Sequence, residues 1–243
     1  GKSLCRGPRN YDNIAQSICS LTNTANSSGV HGLGYGSYII TNSHLFQENN
    51  GSLTIRSKRG LHTIPDTTTI SIAKVGLCDI VILKLPKDVP PFPQKLRFRA
   101  PTEGERVIMI GTLYQTNSTH TTVSETSVTY HKEGGCFWKH WIDTKKGDCG
   151  LPMVSTKDGF ILGIHSLSHL EQEENYFSAV PLDFENEFIQ KLDNLEWNKH
   201  WKLNTDMIAW GDLRLRESKP EGLFKPVKEL FDLITKNNSV EFQ

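Results

Sequence analysis

Short stretches in which apolar and polar residues alternate fill most of the chain, and that alternation predicts strands. Residues 30–41 read as one glycine-punctuated strand, with Gly32, Gly34 and Gly36 alternating against Leu33, Tyr35 and the run Tyr38-Ile39-Ile40. Glycine at every second position suits a bend or a close backbone approach in a barrel. Short strands are expected at 53–56 and 61–64, split by Arg59-Gly60, and at 69–75. Residues 79–85 form a strongly apolar strand with Asp79 at its mouth, and 106–112 and 121–130 resume the pattern. Residues 152–155 and 160–167 predict a hairpin around Asp158-Gly159, and 176–180 adds another strand. Pro90, Pro91 and Pro93 cannot continue a sheet and mark a surface connector. Helical spacing appears late, at Phe184, Phe188, Leu192 and Leu195 and again over 223–236. Many short strands with turns between them predict an all-β barrel or sandwich.

Composition narrows the reading. A chain of 243 residues can bury one large all-β domain or two smaller ones. Lys+Arg and Asp+Glu both number 27, so the net charge is zero, which argues against a protein devoted to gripping nucleic acid. Five cysteines at irregular spacing do not read as a disulfide framework. With no signal-peptide pattern they point to a reducing, intracellular setting. Cys78 reads as strand packing, and Cys5, Cys19 and Cys136 lack metal-ligand spacing. A zinc set built on Cys136 and His140 would have no C-x-x-C pair, so neither metal nor cofactor is expected. The apolar runs are too short to span a membrane. A G-x-G-x-x-G nucleotide loop at Gly32 is rejected, because its last glycine is misplaced and no long helix follows.

Three residues carry candidate chemistry. Cys149 sits on the tight turn Gly147-Asp148-Cys149-Gly150-Leu151-Pro152, whose backbone amides at Gly147, Asp148 and Cys149 can form an oxyanion hole. A thiol needs an imidazole in reach to become a thiolate, and the imidazole needs a carboxylate on its other nitrogen. His44 at a strand exit and Asp79 supply those types, in the chain order His, Asp, nucleophile.

Five strings then agree with one family: Gly32-Leu33-Gly34-Tyr35-Gly36, Thr41-Asn42-Ser43-His44-Leu45-Phe46, Pro86 through Lys95, Phe137-Trp138-Lys139-His140-Trp141-Ile142, and Gly159 through Ser166. Over nearly its whole length the chain resembles the potyvirus nuclear-inclusion-a proteases. The resemblance implies a chymotrypsin-like double β-barrel with short helices and a C-terminal helical extension. It divides the chain into a first barrel over 1–115, a second over 116–205 and an extension over 206–243. His44 becomes the base, Asp79 the orienting acid and Cys149 the nucleophile of an endopeptidase that cuts a viral polyprotein after glutamine. Thr144 and His165 would face the glutamine side chain, a neutral imidazole giving no ionic reward to glutamate. The distal pockets would be lined by 167–176, including Ser168 and Tyr176, and by Trp210. Relatives commonly carry Asp or Asn at the position of Lys146, so no pocket contact is assigned there. Val240-Glu241-Phe242-Gln243 resembles the acyl side of such a cleavage site, with Gln243 at the cut and Gly1 as the small residue left by a preceding cut. A location in host cytoplasm and nucleus is expected. An RNA-binding role, through Lys139, His140, Lys145 and Lys146, is the alternative.

Overall fold

The computed structural model describes residues 10–26, 29–115, 118–215 and 240–243. After a short helix α1 (Asp12–Ala15), seven strands form the first sheet. They are β1 (Ile18–Asn23), β2 (Val30–Tyr35), β3 (Tyr38–Thr41), β4 (Leu53–Ser57), β5 (Gly60–Ile64), β6 (Ser71–Lys74) and β7 (Val81–Lys84), in the order β5-β4-β1-β2-β3-β7-β6. The second sheet holds β8 (Glu105–Gln115), β9 (Ser118–Val123), β10 (Ser127–His131), β11 (Phe137–His140), β12 (Pro152–Ser155), β13 (Ile161–His169), β14 (Asn175–Ala179) and β15 (Val240–Phe242). Its order is β10-β11-β14-β13-β12-β8-β9, with β15 added onto β13. A further β10–β8 pairing closes it into a barrel. The two sheets make the all-β, two-barrel, chymotrypsin-like fold.

Strand alternation explains the core. Ile39, Val81 and Leu83 point into the first barrel beside Leu21, Leu53 and Ile55. Their chain neighbours Ile40, Ile80 and Ile82 point the other way and meet Ile108, Val154, Ile161 and Ile164 of the second sheet. Because strand side chains alternate in direction, β7 with both faces covered must read as an unbroken apolar run. The second barrel is filled by Val107, Met153, Leu162 and Phe177. The catalytic candidates therefore lie along a seam that is itself apolar core.

Four expectations change. The single strand over 30–41 is a hairpin, β2 pairing antiparallel with β3, turned at Gly36 with φ +58°. The strand over 121–130 breaks after Val123, where Ser124 Oγ accepts from Met109 N–H and donates to the Glu125 carbonyl. The helix from Phe184 is only α2 (Phe184–Glu187) followed by a 3-10 stretch, Ile189–Asn194, kinked at Lys191. That kink lets Phe184 and Leu192 both reach the interbarrel core. Finally, β8 belongs to the second sheet, so a boundary at 115 falls too late; the proline-bearing connector before β8 separates the barrels. The helix read over 223–236 lies outside the described residues, as does most of the extension. Among the described residues no helix is long and apolar enough to cross a membrane.

Candidate active site

β3 ends at Thr41, and the 3-10 turn Ser43–Phe46 that follows carries His44 over the seam. The chain entering β7 brings Asp79 beneath it, fully buried. His44 Nδ1 lies 2.8 Å from Asp79 Oδ2, and Asp79 Oδ1 accepts the His44 backbone N–H at 3.0 Å. Asn42 Nδ2 gives Oδ2 another donor at 3.1 Å. A buried carboxylate needs such donors, and these fix its orientation toward the imidazole. The second barrel grips the same acid: Asp79 N–H donates to Ser178 Oγ at 3.2 Å, and Ser178 Oγ shares a 2.7 Å hydrogen bond with Ser166 Oγ. Asn42 Nδ2 also reaches the His165 carbonyl at 3.1 Å.

Cys149 is fully buried and packs in the same apolar cluster as Leu45 and Phe46, the two residues after His44. Its thiol donates to the Ser166 carbonyl at 3.0 Å. Burial, reinforced by the Asp79 carboxylate, holds this thiol well above its ordinary pKa, while the Gln243 amide eases it. Gly150 follows with φ +87°, and a Cβ there would stand 1.8 Å from the His31 carbonyl, so only glycine fits. The turn is strapped to the first barrel by His31, whose N–H donates to the Cys149 carbonyl at 2.7 Å and whose Nδ1 bonds the Gly147 carbonyl at 2.9 Å.

A segment of the chain itself occupies the cleft. β15 lies antiparallel on β13, with Phe242 opposite Leu167, Glu241 opposite Ser168 and Val240 opposite His169. Gln243 N–H donates to the Ser166 carbonyl at 3.1 Å, and the Gln243 carbonyl accepts from Gly147 N–H at 2.7 Å. The Gln243 side-chain oxygen accepts from Thr144 Oγ1 and from His165 Nε2, the latter at 2.6 Å. Phe242 stacks on the His44 ring at 4.2 Å and lies 5.7 Å from Trp210. Val240 joins a buried cluster with Leu167, Tyr176 and Leu213.

The pocket imidazole has its protons fixed by a relay. Ile142 N–H donates to His140 Nδ1 at 3.1 Å, so His140 carries its proton on Nε2. That proton points at His165 Nδ1, 3.1 Å away, which leaves His165 Nε2–H for the glutamine oxygen. Burial pushes His165 down to about 4, and His140 is held well below the ordinary imidazole value by burial and by its neighbour His165. Both rings are neutral near pH 7, so the pocket offers a hydrogen-bond donor without a charge.

The structure brings His44, Asp79, Cys149, Thr144, His165 and Gln243 together, and sets Ser168, Tyr176 and Trp210 along the occupying strand. One oxyanion donor differs from expectation. Asp148 N–H closes a turn on the Lys145 carbonyl at 3.1 Å and is not available, because Asp148 folds back and its carboxylate also accepts Lys145 N–H. Lys146 is exposed. His140 is fully buried within the relay, which removes it from the basic cluster considered for RNA, and Cys136 is bonded to Cys78 in a disulfide rather than offered to zinc. This bond was not legible in the cysteine spacing. Sequence reading also passed over Asn42, His31, Ser166, Ser178 and the strand β11 that carries His140. The one signal for Asn42 is its place two residues before His44 in Thr41-Asn42-Ser43-His44-Leu45-Phe46.

The model of peptidase family C4 matches residues 1–231. The genome polyprotein of turnip mosaic virus (strain Japanese) is 49% identical over 233 residues, 95% of this chain but 7% of the polyprotein. The chain thus spans less than a tenth of that relative. Catalytically active tobacco etch virus protease complexed with product superimposes with TM-score 0.80 and 46% identity, covering 85% of this chain and 90% of that one. Tobacco vein mottling virus protease gives TM-score 0.82 and 44% identity, over 87% of this chain and 98% of that one. A cysteine on a glycine turn between two barrels, over this extent of likeness, leaves one conclusion: the chain belongs to peptidase family C4, the chymotrypsin-like cysteine endopeptidases encoded within potyvirus polyproteins.

Proposed function

We propose that this endopeptidase cuts its polyprotein after glutamine, in sequences of the form V-x-x-Q followed by a small residue, through a Cys149–His44–Asp79 triad. The observation that carries the reading is Gln243, whose side-chain oxygen meets the donors Thr144 and His165 while its carbonyl faces the Gly147 amide. On this reading Gln243 takes the part of the residue before the cut bond, its carbonyl accepting from Gly147 N–H.

The chemistry then runs as acyl transfer. Cys149 Sγ attacks the carbonyl carbon as His44 Nε2 takes the thiol proton, and Asp79 supports the imidazolium through Nδ1. Negative charge on the carbonyl oxygen is met by Gly147 N–H, with the Cys149 amide as the neighbouring donor of the turn. The C–N bond breaks as His44 returns the proton to the leaving amine, giving a thioester. Water, deprotonated by the same imidazole, attacks the thioester and frees the peptide carboxylate, restoring the thiol. Affinity comes from backbone pairing along β13, and choice comes from the side-chain pockets.

A peptide panel tests the proposal. Cleavage should follow glutamine and fall sharply when glutamine is replaced by glutamate or asparagine, and alkylation of Cys149 should abolish it. Equal hydrolysis after alanine, or activity surviving stoichiometric modification of Cys149, would sink the assignment.

A further inference from the structure

Cys78 immediately precedes Asp79, and it is bonded to Cys136, 58 residues further along the chain, with their Cα atoms 5.5 Å apart. Cys78 belongs to the first barrel's approach to β7, whereas Cys136 leads into β11 of the second barrel. The bond therefore fastens the segment that delivers the triad acid to the opposite wall of the cleft. Cys136 Sγ lies 3.2 Å from the Leu77 carbonyl, and Ala209 N–H donates to that same carbonyl at 2.7 Å. Gly135 bridges to Trp210, and Trp210 stacks on Phe137 at 5.5 Å before touching Phe242. One cross-link thus sits at the junction of the acid's loop and the wall behind the second residue of the bound strand.

The junction is also accessible. A cavity of about 390 Å³ is lined by Cys78 and Cys136 together with Leu77, Trp138, Pro181 and Leu182. Cys136 is the partly exposed partner, whereas Cys78 is buried. Lys74 Nζ caps the same turn, donating to the carbonyls of Val75 at 3.2 Å and Gly76 at 3.0 Å and also to that of Cys78. Apart from local backbone capping, the segment 75–79 is tied to the rest of the fold by the Cys78–Cys136 bond, by Ala209 N–H on the Leu77 carbonyl, by the packing of Val75 and by the bonds of Asp79 itself.

We propose that Cys78 and Cys136 are a reversible thiol–disulfide pair that tunes the peptidase, the bonded form holding Asp79 and the Trp210 wall in the competent arrangement. The oxidant class is a low-molecular-weight disulfide such as oxidised glutathione. The Cys136 thiolate attacks one of its sulfurs and expels one glutathione thiolate. The Cys78 thiolate then attacks the mixed disulfide at Cys136 and expels the second. The protein loses two electrons and two protons, and one glutathione disulfide becomes two glutathione thiols. Excess reduced glutathione runs the same steps backward.

This inference rests on the proposed role of Asp79, and the experiment separates the two. Wild-type enzyme is poised in glutathione buffers of stepped potential, its bonding state is read by thiol alkylation and mass spectrometry, and hydrolysis of a V-x-x-Q peptide is measured alongside thermal unfolding. Reduction of the Cys78–Cys136 bond should lower kcat/KM by about tenfold and Tm by about 8 °C, both recovering on reoxidation. Cys136→Ser should sit at the reduced enzyme's value and no longer respond to the buffer. Should that variant fail to fold, the wild-type titration alone decides, because activity must track the alkylation state of this pair. Activity unchanged between the two verified states would overturn the inference. So would activity that falls on oxidation in wild type and Cys136→Ser alike, since that is oxidation of Cys149. Asp79→Asn is the control for the triad: full activity there overturns the triad reading itself, whatever the redox result.

Discussion

Two buried histidines face each other across the cleft, and each has its Nδ1 held by a partner. His44 on the first barrel meets the Asp79 carboxylate at 2.8 Å, and His165 on the second meets the His140 imidazole at 3.1 Å. The difference in partner separates their roles. A carboxylate on Nδ1 stabilises a ring that becomes positive during the reaction, as a general base must. A neutral imidazole gives no such support, and burial keeps His165 uncharged near neutral pH. On the proposed mechanism one ring takes a proton during the reaction, and the other donates a hydrogen bond while staying neutral near pH 7.

Breaking the first side of that contrast should have the largest effect. Cys149→Ala and His44→Ala should each lower kcat by at least ~10⁴-fold while leaving thermal unfolding near wild type, read by peptide hydrolysis and calorimetry. Asp79→Asn keeps the shape but offers His44 a neutral partner, and kcat should fall by about 10³- to 10⁴-fold. On the second side, exchanging the substrate glutamine for glutamate places a charge against a neutral donor, and kcat/KM should fall by roughly 10³-fold. His140→Glu sharpens the comparison, since it gives His165 the kind of partner His44 has; the glutamine-to-glutamate ratio should shrink by about tenfold or more. Thr144→Val removes one of two donors to the glutamine oxygen, and kcat/KM should drop by only about tenfold.

The same burial predicts an acid-sensitive fold. His165 titrates at about 4 in the native state and about 6.5 unfolded. Between those values the unfolded chain binds a proton that the native chain refuses, so stability falls as pH drops through that window and is constant above it. The contribution at stake is about 3 kcal/mol. Thermal unfolding at stepped pH should show the decline, and His165→Gln should reduce it, leaving the part due to buried His140.

Much of this was legible in the chain, for physical reasons. The unbroken apolar run of β7 and the Asp158-Gly159 hairpin show themselves because both depend on local periodicity and turn chemistry. His44, Asp79 and Cys149 stand out because their residue types and order match a known chemical need. The 30–41 stretch misled because a hairpin turned on Gly36 leaves the same alternation on either side of it. What escaped were contacts across the seam: Asn42 on Asp79, His31 on the nucleophile turn, His140 on His165, and Cys78 on Cys136. None has a local pattern, since partners in three dimensions are far apart in the chain. The Asp148 amide escaped for the opposite reason, because a turn closed on Lys145 takes the donor that the glycine motif offers.

The contrast between the two imidazoles is tested most directly by nitrogen-15 NMR of the histidine rings in the Cys149→Ala protein with its cleft occupied, from about pH 8 down to about pH 5. His165 should hold a neutral ring protonated on Nε2 throughout, with its Nδ1 shift that of an acceptor. A His165 ring that becomes doubly protonated near the ordinary imidazole value, about 6.5, would contradict the account.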